Sequence, residues 1–353
     1  MDIKNINFSH GGRIYEYERK YKKKFIDFSA NINPLTIPQN IKNKLLKEFD
    51  GISHYPDQTD TIKTISDYFK IKEENILMGN GSCELIYLLF QSLRVRYKSV
   101  LIPQPGFSEY EKAALINRYK IKFVSLDEKN NFFLDISKII KSDMIFLCNP
   151  NNPTGNLILN SYNEIKNLPQ KFIIIDETFI DFLPDSERKT FIKYSIEDKR
   201  IIVIRSFTKF FAIAGLRVGY IIANKDIINL LKNYQVPWNV NSIGLSVINL
   251  VLKNKKYRED TLSMIEKERK YLFNEISKIK YLMPYSSVAN FLLVKIIKKE
   301  LTSDIIMKKL LKEGIIIRDC SNFRGLDNHF FRISVLSHKD NKKLINFLHG
   351  IFI

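Results

Sequence analysis

The sequence predicts an α/β fold built on a mainly parallel central sheet with helices on both faces, joined to a smaller α+β domain. Three observations carry that prediction. From about Ile71 to Asn241, short β-rich runs alternate with segments of helical period, which is the pattern of βαβ units. Runs such as FIII at 172–175 are apolar at every position, as strands covered on both faces are. Beyond about residue 242 the alternation gives way to a different order of elements.

Taken in order, the first 40 or so residues hold a polar arm, a short helix over 13–21 and the segment FIDFSANINPL. Strands are expected at 99–102, 144–147, 172–175 and 201–204, and an apolar helix at 85–93. A long helix-like tract then runs from about 242 through Asn274. It is followed by the strand VANFLLVKI, a helix over 303–313, the strand-like GIIIR, the strand-like FFRISVL and a last helix from Lys339. The expected division is 1–40 as an N-terminal arm with part of the small domain, 41–241 as the large domain and 242–353 as the small one.

A chain of 353 residues with 45% hydrophobic content can bury one large core and a satellite. No stretch approaches the roughly 20 apolar residues of a membrane span, and MDIKNINFSHGG lacks an apolar signal core. A soluble, cytoplasmic protein is expected, with no membrane partner. Cys83, Cys148 and Cys320 are few and scattered, so neither a disulfide framework nor a metal site is indicated. The net charge of +18 would suit nucleic acid, but the lysines form no basic stripe interleaved with aromatics. No nucleic-acid partner is expected; an anionic substrate and cofactor give the positive field another use.

The most informative segment is Ser206-Phe-Thr-Lys209, continuing to Arg217 and Gly219, directly after the run 201–204. A lysine at the carboxyl end of a strand faces the crevice where open α/β sheets bind ligands. Desolvation there lowers its pKa and permits Schiff-base chemistry near neutral pH. Ser206 and Arg217 offer a hydroxyl and a two-pronged guanidinium suited to phosphate. Asp176 closes the strand at 172–175, and Asn149-Pro-Asn-Asn152-Pro-Thr-Gly155 follows the strand at 144–147 as a turn. Gly79-Asn-Gly-Ser82-Cys83 opens a helix, so the amides of Ser82 and Cys83 can meet an anion.

Together these segments resemble the fold-type I pyridoxal-phosphate (PLP) aminotransferases, and the resemblance covers essentially the whole chain. It implies the aspartate aminotransferase-like fold and PLP held as a Schiff base on Lys209. Asp176 would pair with the pyridine nitrogen, and Asn152 would donate to the cofactor's 3′-oxygen. Ser82, Cys83, Ser206 and Arg217 would hold the cofactor phosphate, and Phe107 in PGFSEYE would stack on its ring. Tyr55 in HYPD matches a tyrosine that reaches the phosphate of a neighbouring subunit, which implies a homodimer. Arg332 in FFRISV matches the arginine that binds the substrate's α-carboxylate.

Three further segments separate the branches. His10-Gly-Gly followed by Asp27-Phe-Ser-Ala-Asn31-Ile-Asn-Pro, then PGFSEYE, then Ile317-Arg318-Asp-Cys-Ser-Asn-Phe-Arg324-Gly-Leu, resemble the threonine-phosphate decarboxylases of cobalamin biosynthesis. The resemblance implies decarboxylation of L-threonine O-3-phosphate to (R)-1-amino-2-propanol O-2-phosphate. His10, Asn31 and Arg318 would hold the substrate phosphate, with Arg324 a second candidate, while Arg332 and Asn152 meet the rest of the substrate. A histidinol-phosphate-type aminotransferase would use the same Lys209, Asp176 and Asn152, and a serine phosphate differs by only one methyl group. Thr178, where relatives carry alanine, has no reading from sequence.

Overall fold

A computed structural model of the protein describes residues 8–352; the first seven residues of the N-terminal arm and Ile353 lie outside the described residues. Its strands are β1 (Ile26–Asp27), β2 (Ile76–Gly79), β3 (Ser99–Gln104), β4 (Lys120–Ser125), β5 (Met144–Cys148), β6 (Phe172–Asp176), β7 (Ile201–Ser206) and β8 (Gly219–Ala223). The C-terminal part adds β9 (Leu282–Pro284), β10 (Phe291–Ile296), β11 (Ile315–Ile316), β12 (Arg318–Asp319) and β13 (Phe330–Ser334). A seven-stranded sheet runs in the order β2-β8-β7-β6-β5-β3-β4, parallel except at β8, which opposes both its neighbours.

Every residue of β5, β6 and β7 is buried, and successive residues pack into opposite layers. Ile145, Leu147, Ile173 and Ile175 join one hydrophobic cluster, while Met144, Phe146 and Ile174 join the other. That alternation is the period of two that a strand imposes when helices cover both faces. It explains why these strands read as unbroken apolar runs.

The chain order reverses between β3 and β5: from β3 it steps outward to β4, and from β5 it steps the other way through β6 and β7. Ligand crevices in open α/β sheets open at the carboxyl ends of strands beside such a reversal. The register aligns those ends, with Cys148 opposite Asp176 and Asp176 opposite Ile204.

A second, four-stranded antiparallel sheet has the order β12-β13-β10-β9. Two expectations change here. The segment GIIIR is not one strand: Ile315 and Ile316 pair in parallel with Ile26 and Asp27, whereas Arg318 turns away to pair with β13. The tract from 242 is three helices, Ser242–Ser246, Ile248–Lys253 and Lys255–Ser277. The last break falls at Asn254, whose side chain accepts from the amide of Tyr257 and so starts a new helix instead of continuing the old one. The pairing of β1 with β11 carries residues 28–33 to the C-terminal strands, where Ser334 N–H donates to Phe28 C=O at 2.8 Å. No helix of the described residues is long and apolar enough to cross a membrane.

Candidate active site

A cavity of about 460 Å³ opens at the carboxyl ends of β3, β5, β6 and β7. Leaving aside Arg324, the second candidate for the phosphate, eleven of the thirteen residues singled out from sequence line it: His10, Asn31, Ser82, Cys83, Phe107, Asn152, Asp176, Lys209, Arg217, Arg318 and Arg332. Two do not. Ser206 sits one step behind the wall, its hydroxyl 2.7 Å from that of Thr208, which does line the cavity. Tyr55 is 75% exposed, outside the cavity, with its ring stacked 4.2 Å from that of Trp238.

Lys209 follows β7 by three residues, and its ammonium group has no hydrogen-bond or ion-pair partner among the described residues. Burial, with smaller contributions from Arg332 and Arg217, outweighs the opposing influence of Cys83 and lowers its pKa to about 8. A neutral, nucleophilic amine is therefore accessible near physiological pH.

Asp176 ends β6, buried and without a cationic partner among the described residues. Thr178 donates twice to one carboxylate oxygen, from its amide at 2.9 Å and its hydroxyl at 2.5 Å. Tyr110 donates to the other at 2.7 Å. Burial raises the pKa of Asp176, and the Thr178 and Tyr110 donors offset part of that rise. Thr178, unreadable in the sequence, thus supports a buried acid, and Tyr110 does so from the opposite side. Tyr110 has no reading from sequence; it is also a core aromatic, stacked on Phe146.

The helix Gly81–Leu93 begins at the cavity wall with Gly81 at φ +78°. A Cβ there would lie 2.5 Å from Nη2 of Arg217, so glycine is what lets the guanidinium approach the helix start. Arg217, itself at φ +53°, lines the cavity beside Ser82 and Cys83. A guanidinium, a helix N-terminus and two amides make a cradle for a phosphate. With Lys209 and the supported Asp176, the residues present fit pyridoxal phosphate.

The opposite end of the cavity is built by the N-terminal arm and the C-terminal strands. Arg318 and Arg332 are direct cross-strand partners in β12 and β13. Like charges so placed repel each other. Arg332 donates to Asn152 Oδ1 and, at 3.0 Å, to the Ser29 carbonyl, and its buried Nε has no partner among the described residues. Burial chiefly, and then Arg318, lower its pKa to about 10. Arg318 binds the Asp319 carbonyl, Ser9 C=O at 2.7 Å and Asn322 Oδ1 at 2.7 Å. Neither arginine has a carboxylate partner among the described residues. Asn31 Oδ1 accepts from Ser334 at 2.9 Å, and His10 Nε2 lies 2.6 Å from Glu109 Oε1. Arg324 is elsewhere: its fork grips Glu111 at 2.6 and 3.2 Å, and it does not line the cavity. Sequence reading missed Glu109, Lys112 and Phe323 in the lining; Glu109 and Phe323 lie inside segments quoted for the resemblance, but nothing in those segments marks these positions as facing a cavity.

A family model described as aminotransferase class I and II matches residues 23–348. The chain is 37% identical, over 98% of its length and 94% of the relative's, to a protein of Caldanaerobacter subterraneus subsp. tengcongensis that carries the provisional name threonine-phosphate decarboxylase. It is 32% identical to the histidinol-phosphate aminotransferase of Methanocaldococcus jannaschii, over 92% of this chain and 89% of that one. Among solved structures, the histidinol-phosphate aminotransferase of Clostridium acetobutylicum superposes with a TM-score of 0.82 at 35% identity, covering 92% of this chain and 98% of the other.

Proposed function

The chain belongs to the class I and II aminotransferase family, with its fold-type I architecture and pyridoxal 5′-phosphate as cofactor, and from that premise we propose that it decarboxylates L-threonine O-3-phosphate to (R)-1-amino-2-propanol O-2-phosphate in cobalamin biosynthesis. The observation that carries this reading is the pair Arg318 and Arg332, two buried cations side by side with no protein carboxylate on either among the described residues. Like charges held together in a cavity call for anions from outside, and a phosphorylated amino acid brings two.

In this reading Arg332 holds the carboxylate, and Arg318, His10 and Asn31 hold the phosphate. Lys209, Asp176, Asn152, Phe107, Ser82, Cys83, Ser206 and Arg217 hold the cofactor, with Tyr55 completing the site of a second subunit. Bound there, pyridoxal phosphate supplies an electron sink for the bond broken at Cα. Two anchors, one for each anion, fix the rotation of the substrate about its Cα–N bond, which selects the bond that is presented for cleavage. Arg332 acts as a positioning group; clamped too tightly, it would stabilise the carboxylate and oppose its loss. Lys209, with a pKa of about 8, can return a proton to Cα after the carboxylate has left. The donors from Tyr110 and Thr178 keep Asp176 fixed on both oxygens.

The homodimer rests on the surface around Tyr55. Leu46, Phe49, Ile52, Tyr55, Val236 and Trp238 are all exposed. The stacked pair Tyr55 and Trp238 joins the two stretches, and an apolar surface of that kind marks a protein contact. Light scattering should give twice the 41.5 kDa chain mass.

An aminotransferase acting on histidinol phosphate is the second reading, supported by relatives of comparable identity. Holoenzyme incubated with O-phospho-L-threonine and no keto acid should release carbon dioxide over many turnovers. Release that requires 2-oxoglutarate, or turnover of histidinol phosphate alone, would favour the aminotransferase.

A further inference from the structure

Among the cavity-lining residues, Glu109 and Asp176 are the carboxylates. Asp176 lies among the groups that fit a cofactor, but Glu109 lies at the end where anions are expected, and a bare carboxylate there would repel a dianion. Glu109 is not bare. One oxygen meets His10 Nε2 at 2.6 Å, the other accepts from Tyr87 Oη at 2.6 Å, and Lys112 Nζ is 3.8 Å away. Burial acts to raise its pKa, yet the hydrogen bonds from His10 and Tyr87 and the charges of His10 and Lys112 outweigh that and hold it below its ordinary value.

We propose that Glu109 is the positioning residue that draws His10, and the N-terminal arm with it, over the anion end of the cavity. This inference rests on the reading of that end given above. Glu109 opens the helix Ser108–Ile116, where the helix dipole favours an acid, but the dipole alone does not account for a carboxylate paired with a residue 99 positions away. The arm is pressed into place around that contact. A Cβ on Gly11 would meet the Ser29 carbonyl oxygen at 2.2 Å, and Gly12 N–H donates to Ser29 Oγ at 2.8 Å. Arg318 holds the Ser9 carbonyl. With Nε2–H donated to Glu109, the ring nitrogen left for a ligand is Nδ1, which has no partner among the described residues and donates to an anion when the ring is the imidazolium that the carboxylate pairs with. Two residues on, Glu111 projects in another direction and grips Arg324, so one helix secures both the arm and the segment after β12.

Two readouts test it on holoenzyme. Glu109→Gln keeps the shape and an acceptor but loses the charge that strengthens the bond to His10. Amide exchange across residues 8–13, with no substrate present, should speed up about five-fold, the ratio between a charge-assisted and a neutral hydrogen bond. The KM for O-phospho-L-threonine should rise by about the same factor, with a smaller change in kcat, even though a negative charge has left an anion pocket. Tyr87→Phe should shift both readouts the same way and less. A KM that falls or stays level in Glu109→Gln, with His10→Asn raising it, overturns the inference. If His10→Asn leaves KM unchanged, the reading of the anion end fails, and arm exchange alone decides for Glu109: faster exchange supports the contact and unchanged exchange overturns it.

Discussion

The two ends of the cavity are built differently. The end that fits the cofactor is made along one edge of one sheet: Asn152 after β5, Asp176 at the end of β6 and Lys209 after β7 at the carboxyl ends of parallel strands, and Arg217 before the antiparallel β8. The anion end gathers His10, Asn31, Arg318 and Arg332 from opposite extremes of the chain, brought together by the pairing of β1 with β11 and of β12 with β13. One end is set by local chemistry on a rigid scaffold, the other by long-range packing. The difference suggests that reaction type and substrate choice can be separated by mutation.

The largest expected effect falls at the cofactor end. Lys209→Ala should abolish turnover, and borohydride treatment of the wild type should fix a phosphopyridoxyl group on Lys209 and on no other lysine. At the anion end the damage should be graded. Arg318→Ala should raise KM for a phosphorylated substrate about 10- to 100-fold, the value of a hydrogen bond to a charged group, while a non-phosphorylated analogue barely responds. Equal losses for both would mean that Arg318, which also holds Ser9 and Asn322, only shapes the site.

How much of this was legible follows the same division. Lys209 could be found because a buried strand announces itself as an apolar run and the lysine follows its carboxyl end; Asp176 and Asn152 could be located the same way, as a strand-closing acid and a turn residue, but their roles came from the resemblance. Arg332 and Arg318 could be placed only through resemblance, since a sequence does not show that two arginines face each other across strands. GIIIR reads as one strand because its apolar pattern is continuous; the switch between sheets at Ile317 depends on β1, nearly 290 residues earlier. Thr178 and Glu109 were silent for the same reason. Their meaning is a hydrogen bond to a distant or folded-back partner, Asp176 for one and His10 for the other.

Smaller effects sharpen the contrast. The pKa of Lys209 is about 8 in the folded protein and 10.5 ordinarily. The unfolded chain therefore binds more protons between those values, so stability rises with pH across that window, and the full cost of burying the ammonium is felt below it. Lys209→Met should stabilise apoprotein at pH 7 by about 1–3 kcal/mol in urea unfolding, the upper figure being the undiscounted shift. That gain should vanish as the pH passes from 8 to 10.5. No equivalent gain is expected at exposed Lys22. Smallest of all, Thr178→Ala removes one donor from Asp176 and should weaken cofactor binding to apoprotein about two- to ten-fold, as the loss of one hydrogen bond does. An unchanged affinity would make Thr178 a bystander.

In the proposed function, two anion anchors turn this aminotransferase fold toward loss of a carboxylate. This is tested most directly by running the reaction on O-phospho-L-threonine in deuterium oxide, with no keto acid, and reading the product by NMR. The expected product is (R)-1-amino-2-propanol O-2-phosphate carrying one deuterium at the carbon that lost the carboxylate, formed over many turnovers. A single turnover that stops with a keto acid as product and resumes only on addition of 2-oxoglutarate would contradict it.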